Sequence, residues 1–363
     1  MHSSYRPDID GLRAISAVAV VLFHAHVPGF GGGFVGVDVF FVISGYLITQ
    51  VLVASAGQPL RQRLTTFYLR RCRRVLPALL VCLVAITQLA TLALQGAELR
   101  VYGRYLAFTS LLLTNVAAWS DPGSGWPALI HLWTIAVEEQ FYLAYPVLLL
   151  LAFRVRSAPP VLLLGILAAA SLVLSVWLSY SAPRADFYST STRIWELLLG
   201  ALLALNAWKI GGRIAAELLT LLSLLVIAAA VCLYWPTMRY PGVYALPVCL
   251  AAAALLATGR DHVTWTVRLL SMRPLVFTGL ISYSLYLWHA AVLSLFRSWN
   301  GGAPSASQTV ALIGAIWVLA VISWRAVEQP VRSGSWLRSN RAFLALAATL
   351  NLVLGVTGLL LWK

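Results

Sequence analysis

Residues 11–54 read GLRAISAVAVVLFHAHVPGFGGGFVGVDVFFVISGYLITQVLVA, and this stretch decides the fold. It holds two apolar runs, about 12–27 and 34–54, that read as consecutive membrane-spanning helices. Gly31, Gly32 and Gly33 join them. Without a Cβ the chain can turn tightly there and let the two helices approach closely. The first run contains Arg13 and His24, eleven residues apart. That is almost three helical turns, so both side chains share a face, about 16 Å apart along the axis. Ionisable groups at membrane depth are costly and mark a functional site by default.

The rest of the chain continues the pattern. Of its 363 residues, 60% are hydrophobic and only 10% charged, against about a quarter charged in a soluble domain. The expected fold is an all-α polytopic transmembrane helix bundle of ten core spans plus an extra C-terminal one. The spans lie at about 12–27, 34–54, 75–95, 135–153, 161–180, 187–207, 214–234, 242–258, 275–296, 307–325 and 342–362. Segment 101–119 is apolar but short and broken by polar residues, so the region near 101–131 is expected to be re-entrant or interfacial. With the N-terminus in the cytoplasm and that segment not crossing, 19 of the 26 basic residues fall on the cytoplasmic side, Arg154, Arg156, Lys209 and the six arginines of 55–74 among them. The bias places the C-terminus outside. It also accounts for the net charge of +14 without a nucleic-acid partner. No cleavable signal sequence is read, because the first apolar run follows Asp8 and Asp10 and carries its own charges. Cys72, Cys82, Cys232 and Cys249 stand singly, as small apolar fillers with no disulfide or metal spacing.

Chemistry-bearing residues gather at two poles. Toward the outer side, Asp38 matches His24 in depth across the glycine turn, and a carboxylate that orients a histidine is a general-base arrangement; an interhelical bond that merely holds the bundle is the plainer alternative. His26 reads as a boundary residue. The run His131 to Tyr142 brings Trp133, Glu138 and Glu139; Arg193 and Glu196 lie i, i+3 on one helix; His289 lies in the outer half of the ninth span. At the inner pole, Tyr68 to Pro77 carries Arg70, Arg71 and Arg74, with Pro77 expected in the first turn of the third span. Such guanidinium groups suit positive-inside anchoring or bidentate binding of phosphate. Glu328 to Arg332 closes the tenth span on that side.

In order along the chain, Tyr5–Arg13, the Arg13-to-His24 spacing, Gly33–Gly45, Arg70–Pro77, His131–Tyr142, Arg193–Gly200, Ser282–His289 and Glu328–Arg332 together resemble acyltransferase family 3 of integral membrane proteins. The resemblance covers roughly residues 5–332, the acyltransferase domain being read as 1–332. It implies O-acyl transfer, often of acetyl, from cytosolic acyl-coenzyme A to a hydroxyl of an extracytoplasmic glycan such as lipopolysaccharide O-antigen, peptidoglycan or exopolysaccharide. It points to Arg13 and His24 as essential, with His24 catalytic, either removing the acceptor's proton or briefly carrying the acyl group itself, and Asp38, matched to it in depth, is expected to hold its tautomer. It makes Arg13, Arg70, Arg71 and Arg74 donor contacts. Trp133, Glu138, Glu139, Arg193, Glu196 and His289 become contacts of the glycan or lipid-linked acceptor. The donor is acyl-CoA, foremost acetyl-CoA, with no metal, and a hydrated conduit is expected to join the basic vestibule to His24. Residues 333–363, a basic linker and an eleventh span, exceed the minimal family pattern. In some relatives such a helix carries a secreted SGNH-type esterase domain, so the readings are a fused SGNH domain, a separate periplasmic enzyme as partner, or an eleventh helix that merely packs. Two other classes compete: a transporter or flippase of an envelope lipid, and a membrane scaffold for a soluble acyltransferase.

Overall fold

The computed structural model describes residues 5–121, 123, 127–155, 157–206 and 210–363; Arg156 and Lys209, counted above as cytoplasmic charges, lie outside the described residues. The helices are α1 Pro7–His24, α2 Gly36–Ala54, α3 Leu60–Ala93, α4 Gly96–Ser110, α5 Thr114–Trp119, α6 Trp133–Arg154, α7 Pro160–Ser181, α8 Pro183–Tyr188, α9 Thr190–Leu205, α10 Arg213–Leu233, α11 Ala245–Asp261, α12 Trp265–Leu270, α13 Arg273–Asn300, α14 Ala306–Ser323, α15 Gln329–Arg332 and α16 Asn340–Trp362. Among the described residues there is no strand.

Nine helical segments among the described residues are long and apolar enough to cross a bilayer, and the protein is a multi-pass membrane protein. The other two expected spans are α1 and α9. Asp8, Asp10 and Arg13 interrupt the apolar character of α1, and α9 has 16 residues with Arg193 and Glu196 near its start. The segment near 101–131 breaks into α4 and α5. At 15 residues α4 measures about 22 Å, short of a hydrocarbon core of about 30 Å. One expectation is corrected: Pro77 is not in a first turn. α3 begins at Leu60, runs through the arginine cluster, and holds Pro77 in its interior.

Two compact units make up the chain, Met1–Gln58 with Val137–Leu280, and Pro59–Ala136 with Ile281–Lys363. In the first, α2 and α9 form the tightest pair, and glycine is the reason. A Cβ on Gly45 would strike the Leu197 carbonyl, and one on Gly200 would strike the Val42 carbonyl. The backbones therefore touch, as small residues permit between membrane helices. Asp38 meets Arg193 at an offset of 155 residues, and Gly45 to Gly200 is the same offset. The helices thus run parallel and their N-terminal turns coincide. α1 packs on the turn before α2 in the same way: a Cβ on Gly33 would meet the Ala19 carbonyl, and one on Gly36 the Ser16 carbonyl. The close approach expected from the glycine run is present.

In the second unit, α16 lies along α4. Gly103 abuts Leu361 and Trp362, Gly358 abuts Ala107, and the Asn351 amide donates to the Ser110 carbonyl at 2.8 Å. Arg73 on α3 ties down the linker before α16. Its guanidinium donates to the carbonyls of Val331 at 3.1 Å and Leu337 at 2.8 Å and to Asn340 Oδ1 at 2.9 Å, and it lies over the Phe343 ring.

Because backbone opposes backbone at α2–α9, a side chain there forces the helices apart. Gly45→Val and Gly200→Val should each lower stability by about 2 kcal/mol or more, the scale of an overpacked core. Gly165→Val, where a Cβ meets nothing within 4 Å, should be tolerated. Thermal unfolding in detergent checks this.

Candidate active site at the end of α1

His24 is the last residue of α1, although the first span is expected to run to about residue 27. Its Nδ1 lies 2.9 Å from the Val20 carbonyl, one turn back in the same helix. A carbonyl oxygen only accepts, so Nδ1 carries the proton in that bond. The ring meets Phe23 edge-on at 5.0 Å and is half-buried.

Asp38 does not orient it. Asp38 sits in the first turn of α2, fully buried, with Oδ1 accepting from Arg193 at 2.8 Å and Oδ2 from the Tyr240 hydroxyl at 2.5 Å. The orienting role expected of this carboxylate belongs to the Val20 carbonyl. The reason is geometric: the parallel α2–α9 register delivers a guanidinium to Asp38 first. Arg193 in turn contacts Glu196 at 3.2 Å, and its guanidinium lies over the rings of Phe41, Phe187 and Tyr240 at 5.5–6.0 Å. Arg193, Asp38 and Glu196 have no exposed side-chain surface. Arg193 and Glu196, i and i+3 on one helix, thus pair with each other. Their expected contact with an acceptor is corrected to a sealed ion-pair network, in which removing one partner strands a buried charge at a cost of about 3–5 kcal/mol.

Sequence reasoning missed Tyr240. It lies 202 residues from Asp38 in the α10–α11 connection, and no periodicity or motif signals it. Burial and the Asp38 carboxylate hold its phenol well above the ordinary tyrosine range, so it stays a donor. Cys249 was also read as a bare filler, yet its sulfur falls within 4.8 Å of carboxylate oxygens of Asp38 and Glu196. Arg193 already supplies the positive charge between those acids.

The network reaches His24 through aromatic contacts. Tyr240 packs edge-on against Phe34 at 4.8 Å, Phe34 against Phe23 at 5.4 Å, and Phe23 against His24. The carboxylate run of α6 secures the same two helices: Ser44 donates to Glu138 at 2.5 Å, Thr190 donates to Gln140, and Thr49 pairs with Tyr145 at 2.7 Å. Glu138 and Glu139 are half-buried, and Glu138 binds α2. At the opposite end of α1, Arg13 pairs with Asp10 at 3.0 Å, Tyr5 donates to Asp10 at 2.8 Å, and Arg6 pairs with Asp8.

The remaining candidates belong to the second unit. Arg70 is exposed on α3, with Arg71 and Arg74 half-buried. Trp133 is buried in the first turn of α6. His289 is fully buried, with Nδ1 2.7 Å from the Tyr286 carbonyl and its ring 5.3 Å from that of His131. The Tyr286 hydroxyl donates to the His131 carbonyl at 2.6 Å. His289 is thus an interior residue of that unit, not an exposed acceptor contact.

A family model described as an acyltransferase domain matches residues 6–325. The chain belongs to acyltransferase family 3. It is 30% identical over 365 residues to the peptidoglycan O-acetyltransferase OatA of Listeria monocytogenes, covering 93% of this chain and 58% of that protein. It is 32% identical over 369 residues to YrhL of Bacillus subtilis, provisionally named a peptidoglycan O-acetyltransferase, covering 94% and 57%. A provisionally named O-acetyltransferase of Staphylococcus aureus is 30% identical over 349 residues, covering 90% and 57%. The chain therefore spans less than six-tenths of the length of these relatives. No solved structure matches it.

Tyr240→Phe keeps the ring on Phe34 and leaves Asp38 Oδ2 without its donor; the expected loss is about 1–3 kcal/mol in denaturation measurements. A pH effect comes from Asp186 on α8. Burial pushes its carboxyl up to about 6, outweighing the Ser175 hydroxyl, the Arg193 charge and the Gly242 N–H that favour the anion. An acid whose folded pKa is raised stabilises the fold fully below its unfolded value, and that contribution is lost as pH rises through the folded one. Melting scans should show this loss between about pH 4 and pH 6, and Asp186→Asn should remove it.

Proposed function

We propose that the chain is a membrane O-acyltransferase that moves an acetyl group from acetyl-coenzyme A to a hydroxyl of an extracytoplasmic cell-wall glycan. The observation that supports the reading is the imidazole that ends α1, its Nδ1 held 2.9 Å from the Val20 carbonyl one turn back. Family membership supports the reaction class. The names of the relatives, peptidoglycan O-acetyltransferases among them, support a wall glycan as acceptor over O-antigen.

In the proposed reaction His24 Nε2 takes the proton of the acceptor hydroxyl, and the oxygen attacks the thioester carbonyl. The carbon–sulfur bond breaks, the thiolate of coenzyme A leaves, and the proton held on His24 passes to it. The products are an O-acetyl ester and free coenzyme A. Arg13, and separately Arg70, Arg71 and Arg74 on α3, are proposed to bind donor phosphates, guanidinium being the group best matched to them. The proposed topology puts the N-terminus in the cytoplasm and the C-terminus outside, following the distribution of positive charge.

His24→Ala should abolish acetyl-coenzyme A turnover by purified protein in liposomes supplied with wall glycan, while the protein stays folded and inserted. Full activity in that variant contradicts the role, and lipid flux without thioester consumption would favour a transporter. Arg70→Ala and Arg74→Ala should raise KM for acetyl-coenzyme A by about tenfold with little change in kcat, the mark of a lost ground-state contact. Initial-rate kinetics distinguish this from a fall in kcat.

A further inference from the structure

Arg193 was expected to meet the acceptor, and no solvent reaches it. Its surroundings define a different task. The guanidinium spans two carboxylates from different helices, Asp38 on α2 and Glu196 on α9. The same Asp38 receives the Tyr240 hydroxyl. From Tyr240, three consecutive ring contacts of 4.8, 5.4 and 5.0 Å run through Phe34 and Phe23 to the His24 ring. Phe34 lies in the turn before α2, whose glycines clamp it against α1. The wall behind the imidazole is therefore set by where Asp38 stands, and Asp38 stands where Arg193 holds it.

We propose that Arg193 is a positioning residue for acyl transfer, fixing the plane of the His24 ring through Asp38, Tyr240, Phe34 and Phe23. A guanidinium is suited to this because one arm of its planar fork donates to Asp38 while the other stands 3.2 Å from Glu196. Lysine offers one point charge and cannot define both. The proposal rests on the reading of His24 as the reacting base. It differs from a purely structural ion pair in one respect: the network carries information about the ring, not only cohesion.

Three forms of the full-length protein in liposomes separate the two. Arg193→Lys keeps the charge. The triple variant Asp38→Asn, Glu196→Gln, Arg193→Met removes the three groups together, so neither Asp38 nor Glu196 is left as an acid without its cation, and thermal unfolding checks that it folds. Two readouts are taken: steady-state kinetics with acetyl-coenzyme A and wall glycan, and the rate of His24 modification by diethyl pyrocarbonate at neutral pH, read by mass spectrometry of the His24 peptide. The expected result is kcat at least tenfold lower in both variants, KM for acetyl-coenzyme A within twofold of wild type, and His24 modification at least threefold faster. A folded Arg193→Lys or triple variant with wild-type kcat and wild-type His24 reactivity overturns the proposal. If wild-type protein turns over no acetyl-coenzyme A, the functional reading fails; the modification rates still decide whether Arg193 fixes the ring.

Discussion

The pairing of Arg193 with Asp38 is the constraint on which the first unit is built. In lipid a charged side chain has no water to turn to, so it must find its partner inside the protein. Here one guanidinium serves two acids, and all three side chains are sealed. That demand fixes the lateral register of α2 and α9, and the close approach of Gly45 to the Leu197 carbonyl and of Gly200 to the Val42 carbonyl supplies the closeness that lets the charges meet. Either feature alone is weak. Glycine contact without the ion pair leaves the helices free to slide, and the ion pair without glycine holds the backbones too far apart.

From that pair the His24 end of α1 is built outward. Tyr240 closes over Asp38, Phe34 packs on Tyr240, and Phe23 and His24 complete the row. α6 adds its own ties to α2 and α9 through Glu138 and Gln140. The helix that ends in His24 carries Arg13 near its start, so one rigid element spaces a basic residue and an imidazole by about 16 Å. A fixed spacing of that order suits a donor that is long, anionic at one end and reactive at the other, as is the acyl-coenzyme A that the family resemblance implies.

The all-helical membrane architecture was legible because apolar runs of spanning length need only one residue type repeated, and each expected span coincides with a helix. The glycine turn before Asp38 was legible for a similar reason, since close approach has a local signature. Roles were harder. Asp38 was assigned to His24 because the two are near in sequence and depth, whereas its partners Arg193 and Tyr240 lie 155 and 202 residues away. Pairing at that range depends on helix register, which a single sequence does not encode locally. Arg193 and Glu196 were recognised as a pair but not as interior, because charge in a membrane helix signals importance without saying whether it faces ligand or protein. Arg73 stands among arginines of identical chemistry, and only tertiary contact separates its anchoring of the linker before α16 from its neighbours.

The central claim is that the Val20 carbonyl holds the proton of His24 on Nδ1 at the end of α1. The most direct measurement is the nitrogen chemical shifts of His24 in imidazole-labelled protein in lipid at neutral pH. The account predicts a neutral ring with the proton on Nδ1 and a lone-pair shift on Nε2. A proton residing on Nε2 with Nδ1 bare, or an imidazolium carrying both, would contradict it.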